Sequence, residues 1–271
     1  MKPETTLTKD LEQASWRRPW REFRIRARQA GFNRIWVFAR AWCDARLPGF
    51  AAAALAPSYQ NLVLICGGGR QLWRRYCEAS ARDWDASENP LDHYTVSVLE
   101  SLVAPLRAQD ASLVTAYPFR HARQIVGLQS LLEGTSLGRP APFGLGQDPR
   151  FGPWWAMRGL LLTALPLPLS TLPVLSACQT CKDTPCVTAC PGGAVHLEGF
   201  QWRECAQHRL NALTCREDCP ARMACPVGFS FHYHLAQMRH HYRASMREVR
   251  AHLAPHPPVA SLRNSRPGET P

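Results

Sequence analysis

Eight of the eleven cysteines in this chain lie between Cys178 and Cys225. Cysteines at this density either pair as disulfides or bind metal, depending on the redox compartment. The N-terminal residues contain no apolar core of the kind that marks a secretion signal, so we expect a reducing, cytoplasmic compartment. The block therefore predicts a metal-binding module, and a disulfide-stapled module is the less favoured alternative.

The first run of cysteines has the spacing C-x2-C-x4-C-x3-C-P and ends at Pro191. It differs from the bacterial ferredoxin spacing, C-x2-C-x2-C-x3-C-P, by two extra residues before the third cysteine. Three closely spaced thiolates can bind three irons of a cubane, and backbone N–H groups can point at the sulfurs. The run therefore predicts an iron–sulfur site.

The second run is looser in spacing but ends in the same Cys-Pro pair at Pro226. Four plus four thiolates are the number that two [4Fe–4S] clusters need. In two-cluster ferredoxins the fourth cysteine of one run binds the other cluster, and this rule divides the eight into two sets. The predicted sets are Cys178, Cys181, Cys186 and Cys225 for one cluster, and Cys190, Cys205, Cys215 and Cys219 for the other.

Zinc is the alternative metal, because His196 and His208 lie near the cysteines and mixed Cys/His sets of four are typical of structural zinc sites. The first run, however, does not form the two separated pairs usual for zinc. The three other cysteines, Cys43, Cys66 and Cys77, stand among apolar residues and are predicted to be small buried side chains.

Strand and helix patterns alternate before the cysteine block, which predicts an α/β layer domain. The continuous apolar run Asn61–Cys66 predicts a buried central strand, followed by a glycine turn and a helix. The predicted fold class is therefore α+β. Its parts are a polar tail (1–20), an α/β domain (21–176), a ferredoxin-like module (177–228), a C-terminal helix (229–254) and a flexible tail (255–271).

Further patterns predict helices at Val96–Leu106 and His121–Leu132 and a strand at Ser112–Tyr117. The most apolar stretch, Leu160–Leu175, is shorter than the roughly 20 residues that a membrane span needs, and prolines interrupt it. We therefore expect a buried strand and a loop there, and no contact with a membrane.

Three motifs lead into the cysteine run: Phe143-Gly144-Leu145-Gly146, the segment Pro149–Trp154 and the segment Leu162–Leu167. Their order resembles epoxyqueuosine reductases and reductive dehalogenases, and most of all the short two-cluster ferredoxin-like members of that superfamily. The resemblance implies a nitroreductase-like fold for the N-terminal domain, which holds a corrinoid in those reductases. It also implies that the two clusters form an electron path into that domain.

The resemblance implies a reductase-like iron–sulfur protein that passes single electrons through two clusters to an acceptor in the N-terminal domain. An electron donor such as flavodoxin or ferredoxin would then be a partner. The alternatives are a non-catalytic ferredoxin-like electron carrier and a tRNA epoxyqueuosine reductase-like enzyme. The net charge of +11 favours an acidic partner, which includes both RNA and an acidic electron donor.

No catalytic residue is assigned from the sequence. The catalytic aspartate of epoxyqueuosine reductases has no match, and Asp92 is predicted to cap a helix. Gln147 stands where the family often carries a lysine.

The last predicted helix is rich in histidine and arginine. Its apolar residues Phe231, Leu235, Met238 and Tyr242 recur at helical spacing and are predicted to pack against the cysteine module. The basic residues are predicted to form a solvated face that could dock an acidic electron donor. The histidines in question are His232, His234, His240, His241 and His252.

Overall fold

The computed structural model describes residues 15–47, 52–79, 89–119, 141–171 and 177–253. The predicted helix His121–Leu132 and most of both predicted tails lie outside the described residues. No helix in the described ranges is both long enough and apolar enough to cross a membrane.

A four-stranded sheet forms the centre of the N-terminal half. The strands are β1 (Arg34–Ala39), β2 (Asn61–Gly68), β3 (Val114–Ala116) and β4 (Trp155–Thr163), in the spatial order β1-β2-β4-β3. Each of the three pairings is antiparallel. Every residue of β2 is buried, so the predicted central strand is confirmed, and it extends two glycines further than the apolar run.

Five helices in the described part of the N-terminal half pack around this sheet. On one face, α1 and α5 bury apolar side chains against the strands, and on the other face a second cluster surrounds Tyr59. The predicted helix at Val96–Leu106 is observed as part of the longer α5. The helices are α1 (Arg17–Gln29), α2 (Arg40–Arg46), α3 (Ala52–Leu55), α4 (Gln71–Ala79) and α5 (Pro90–Arg107).

Helix α1 begins before residue 21, where we placed the domain boundary. Trp16 and Trp20 are buried in the core together with Phe23 and Ala27. Trp16, Trp20, Phe23 and Ala27 are spaced three or four residues apart, so they lie on one helical face. Because charged and polar residues alternate with these four, the sequence of this segment resembles a polar tail.

The C-terminal half consists of short helices, one hairpin and one long helix. Proline occupies an early position in several of the short helices, where its missing N–H costs no hydrogen bond. The long helix begins six residues later than predicted, after a 3₁₀ turn at Phe229–Phe231. The elements are α6 (Pro185–Thr188), β5 (Val195–His196), β6 (Gly199–Phe200), α7 (Trp202–Asn211), α8 (Thr214–Glu217), α9 (Pro220–Met223) and α10 (Leu235–Leu253).

The carboxylate of Asp110 joins the turn after α5 to the end of β4. It accepts hydrogen bonds from the Thr163 hydroxyl at 2.5 Å and from the Ala164 N–H at 2.7 Å, and others from Ser112. Partial burial opposes ionisation, but these hydrogen bonds outweigh it and lower the pKa of Asp110. A lowered pKa means that this carboxylate stabilises the fold while it is ionised.

We expect Asp110→Ala to lower the free energy of unfolding by about 1–3 kcal/mol, because its donors lose their acceptor. The deficit should be present above the pKa of an unfolded aspartate and should shrink as the pH falls through the folded-state value. Urea unfolding at several pH values measures both effects. Glu78→Ala, which removes an exposed ion pair to Arg75, is the control and should change stability by less than about 1 kcal/mol. A pH-independent deficit would contradict this account of Asp110.

Candidate metal centres

Four cysteines line one cavity of about 460 Å³, which we call the first cysteine cavity. Two of their side chains are buried and two are half-buried. Residues 141–144, from the loop that precedes β4, also line this cavity. The four cysteines are Cys178, Cys181, Cys186 and Cys225.

The other four cysteines of the block line a neighbouring cavity of about 340 Å³, the second cysteine cavity. Phe143, Gly144 and Phe200 line both cavities, so the two spaces are adjacent. The four cysteines are Cys190, Cys205, Cys215 and Cys219.

The structure thus brings together the same two sets of four that the swapped spacing rule groups. Cys225 crosses to the first run, and Cys190 leaves it for the second. Among the described residues, no three His, Cys, Asp or Glu side chains are close enough to hold a single metal ion. The thiols surround two cavities and do not converge on a position where one metal ion could bind. Cluster binding itself stays a prediction.

Of the two histidines considered as zinc ligands, only His208 lies at a cysteine cavity. It lines the second cavity, and its Nε2 is buried without a hydrogen-bond partner among the described residues. His196 is more exposed and lies 3.9 Å from the Glu204 carboxylate.

Burial makes four of these thiols poorer acids. It raises the pKa of Cys205 to about 11, an effect that Arg209 opposes and the other thiols of its set reinforce. Burial likewise raises the pKa of Cys186, Cys215 and Cys225. A bound metal supplies the positive charge that stabilises several thiolates in one site.

Backbone N–H groups point at two sulfurs of the first cavity. The Cys186 N–H lies close to its own sulfur, and the Val227 N–H donates toward the Cys225 sulfur. These hydrogen bonds partly offset the effect of burial on the pKa of each thiol. Donors in this arrangement favour the anionic form of the sulfur and would tune a bound metal group.

The cysteine module meets the sheet domain through two glycines in direct backbone contact. Gly152 has φ +57° and Gly228 has φ +73°, a region that side-chain-bearing residues rarely adopt. A Cβ on Gly152 would lie 2.1 Å from the Val227 carbonyl oxygen, and one on Gly228 would lie 2.2 Å from that of Phe151. Only glycine allows the two loops to approach this closely.

A buried ion pair holds the sheet-domain side of this contact. The carboxylate of Asp148 is fully buried and accepts two hydrogen bonds from Arg34, at 2.8 and 2.9 Å. It also accepts the N–H groups of Arg150 and Phe151, each at 2.8 Å. One side chain from β1 therefore sets the conformation of the loop that carries Gly152.

Arg222 reaches from the cysteine module across the same interface. Its guanidinium donates to the Pro153 carbonyl at 2.7 Å and stacks on Trp154 at 4.3 Å and on Tyr233 at 4.8 Å. Trp154 is completely buried. The stack lies at the wall of the second cysteine cavity, because Arg222 lines that cavity.

A third space of about 390 Å³, the sheet-edge cavity, lies at the start of β4. Its lining includes Gly144–Gly146 and Trp155–Arg158. Gly144, Leu145, Arg222 and His241 line both this space and the second cysteine cavity. A group bound there would therefore be next to the second set of thiols.

The histidines of α10 do not all lie on a solvated face, so that prediction is wrong. His240 packs on Trp73 and Tyr76, and His241 packs on Trp73 and Tyr233. Burial lowers the pKa of both, and nearby arginines add to the effect, so both imidazoles are neutral at pH 7. Helical spacing could not indicate this, because the aromatic residues that cover them come from other elements.

The apolar residues of the predicted last helix divide between the interior and the surface. Tyr242 stacks under Arg209 of the cysteine module, as the spacing predicts. Met238 is buried, but it packs with Trp154 and Tyr233, and Phe231 packs on Phe151 of the sheet domain. Leu235, however, is 53% exposed. It is the first residue of α10, where the helix has not yet reached the module.

Two other sequence-derived roles change in the structure. Asp92 does not cap α5: Asn89 precedes the first helical residue, and the Asp92 carboxylate lies 3.6 Å from Arg158. Gln147 is buried, and neither polar atom of its amide has a hydrogen-bond partner among the described residues.

Of the three cysteines outside the block, two are buried. Cys43 and Cys66 lie in the core, as predicted, and burial raises the pKa of Cys43 to about 12. Cys77 is exposed, so the prediction is wrong there. None of the three lines either cysteine cavity.

No protein-family model and no curated protein sequence matches this chain. Solved structures do. Epoxyqueuosine reductase from Bacillus subtilis is 15% identical, with a TM-score of 0.52 over 80% of this chain and 67% of that enzyme. An epoxyqueuosine reductase with a tRNA-Tyr epoxyqueuosine-modified stem loop is 14% identical, with a TM-score of 0.51 over 82% and 68%.

A second kind of structure has a similar fold. The C. elegans B12-trafficking protein CblC is 15% identical, with a TM-score of 0.51 over 86% of this chain and 95% of CblC. At such identities the likeness concerns the fold alone. The chain therefore has an epoxyqueuosine reductase-like α+β fold, which confirms the resemblance that its motifs indicate.

We expect Gly152→Ala and Gly228→Ala to destabilise the junction of the two halves. Gly193→Ala is the matched control, because Gly193 also has positive φ (+62°) but no atom within 4 Å of an added Cβ. The control should lower the free energy of unfolding by about 1–2 kcal/mol, because alanine is strained in this backbone conformation. The two junction variants should lower it by about 1–3 kcal/mol more, because the added methyl group overlaps the opposite loop. Equal losses in all three, measured by urea unfolding, would show that the close approach contributes nothing.

Proposed function

We propose that this chain is an iron–sulfur protein that passes single electrons, through two [4Fe–4S] clusters, to an acceptor held by its sheet domain. The observation that carries the proposal is the division of eight thiols into two sets of four around two adjacent cavities. The reductase-like fold supports the same class of function.

The donor set fits such clusters. Each cavity offers four sulfurs, the number of protein ligands that a cubane takes, and N–H donors point at sulfurs of the first set. When bound, the clusters would supply one-electron transfer at a potential set by burial and hydrogen bonding. The residues of the module would hold them, limit their contact with water and fix their positions relative to the sheet domain.

The sheet-edge cavity is the proposed place for the acceptor. It adjoins the second cysteine cavity through Arg222 and His241, so electrons leaving the second set of thiols would have the shortest route into it. A corrinoid is the acceptor that the fold suggests, since a structure of this fold is a B12-trafficking protein. No side chain in the cavity is assigned as a corrinoid ligand.

The decisive experiment is metal analysis of cysteine variants purified without oxygen. Cys181→Ser and Cys205→Ser should each lose about half of the iron and sulfide, because each removes a ligand of a different predicted cluster. Absorption near 400 nm should fall in parallel, and EPR spectra of the reduced protein should show which signal is lost.

Cys77→Ser is the matched control, since it makes the same chemical change at an exposed thiol outside both cavities. It should keep the full iron content, and so should a variant that removes Cys43. A colourless, iron-poor wild-type protein, or full iron in Cys181→Ser, would overturn the proposal.

Two alternatives share the cluster-binding module. A non-catalytic ferredoxin-like carrier would have no bound acceptor, whereas the reductase-like protein should copurify with one. A tRNA epoxyqueuosine reductase-like enzyme is supported by the fold shared with a reductase whose structure contains a tRNA stem loop, and by the net charge of +11.

We expect anaerobically purified protein to contain cobalt, or to bind added cob(II)alamin in a stoichiometric complex. Absorption spectroscopy with cobalt analysis measures this. Protein that carries both clusters and binds no corrinoid or flavin would favour the carrier. Tight tRNA binding that weakens steeply as salt is raised would favour the tRNA enzyme. Flavodoxin and ferredoxin are the electron donors we propose to test.

A further inference from the structure

A large cavity beside α10 is strongly basic, and no cysteine lines it. It has a volume of about 690 Å³, lies between the start of α5 and one side of α10, and we call it the arginine cavity. Four arginines and one carboxylate, Asp92, are in its lining, and two histidines complete the polar wall. The arginines are Arg158, Arg239, Arg243 and Arg247.

These arginines come from two distant parts of the chain, and they outnumber the one carboxylate that lines the cavity with them. Arg158 lies on β4 and the other three on α10, on a face where residues four apart are neighbours. Arg239 is paired with Glu217, and Arg158 is 3.6 Å from Asp92. Arg247 donates to the Asn89 side-chain oxygen at 2.8 Å. Arg243 is exposed and makes no hydrogen bond or ion pair with any other described residue.

Two residues that line the arginine cavity carry buried polar atoms without a partner among the described residues. The side chain of Arg158 is only 11% exposed, and its Nε is buried without a hydrogen-bond partner among the described residues. The same holds for Nε2 of His241, whose ring lies beside it in the cavity wall. A buried donor such as the Arg158 Nε–H is normally satisfied, so a ligand that accepts a hydrogen bond from it would remove its cost.

Helix α5 adds to the positive potential. Its first residue, Pro90, lines the cavity, and an 18-residue helix presents the positive end of its dipole there. Planar guanidinium groups that converge on one space match the oxygens of phosphate better than those of any neutral ligand.

We propose that the arginine cavity binds the phosphate or diphosphate group of a small molecule. The volume is within the range of small-molecule sites, roughly 300–1,000 Å³, and the deepest donors are buried, which a flat nucleic-acid surface would not require. Arg158 and His241 also line the sheet-edge cavity, so the rest of the molecule would extend toward the proposed acceptor site. Only this extension toward the acceptor site rests on the proposed function.

The test is isothermal titration of the full chain with inorganic pyrophosphate, at fixed ionic strength. Arg243→Gln should weaken binding about tenfold, the effect expected when one charge-assisted hydrogen bond is lost. Arg250→Gln removes the same charge from an exposed position on the same helix outside the cavity, and it should bind as the wild type does. Arg158→Lys, which keeps the charge but not the planar fork, should also bind more weakly.

The absence of saturable pyrophosphate binding would overturn the proposal, as would equal losses in Arg243→Gln and Arg250→Gln. Binding of a short RNA stem loop without any binding of pyrophosphate would also overturn it, in favour of a nucleic-acid surface. Iron content measured on the same samples separates this result from the fate of the cluster proposal. Protein that lacks clusters but still binds pyrophosphate would refute the cluster proposal and leave the phosphate-binding proposal standing.

Discussion

The contact between Gly152 and Gly228 determines how the two halves of the molecule meet. Each glycine places its backbone against a carbonyl of the opposite loop, at a distance that no side chain would permit. Arg34 and the buried Asp148 hold one loop in the conformation that this approach needs. Cys225 lies three residues before Gly228, so the same contact sets where the last thiol of the block lies.

The position of the cysteine module decides which spaces become neighbours. With the loops in contact, Arg222 reaches the Pro153 carbonyl and stacks on the buried Trp154. The second cysteine cavity then shares a wall with the sheet-edge cavity. The proposed electron path needs this proximity, which results from aromatic packing and from the contacts of Arg222.

The arrangement also explains why α10 is so basic. One side of the helix carries His240 and His241, which are neutral because aromatic rings and arginines surround them. The adjacent side presents arginines to the space in front of α5. A single helix therefore contributes to the wall between two cavities and to the basic lining of a third.

Much of the fold and of the candidate site could be predicted from local patterns. The continuous apolar run and the glycines after it indicate β2, because a strand buried on both faces has an unbroken apolar sequence of this length. The cysteine spacing with its two Cys-Pro pairs divides the thiols into the two sets that the cavities contain. The glycine and proline motifs before the cysteine run indicate the fold that the solved structures share.

The tertiary structure alone decided which residues meet across the chain. Arg158 on β4 approaches Asp92 on α5, and both lie beside the arginines of α10, although no periodicity links the three segments. The burial of His241 depends on rings from other elements. The spacing of residues along the sequence indicates which side chains are neighbours within one helix or strand. These contacts instead depend on how separate elements pack together, and the packing of the whole core determines that.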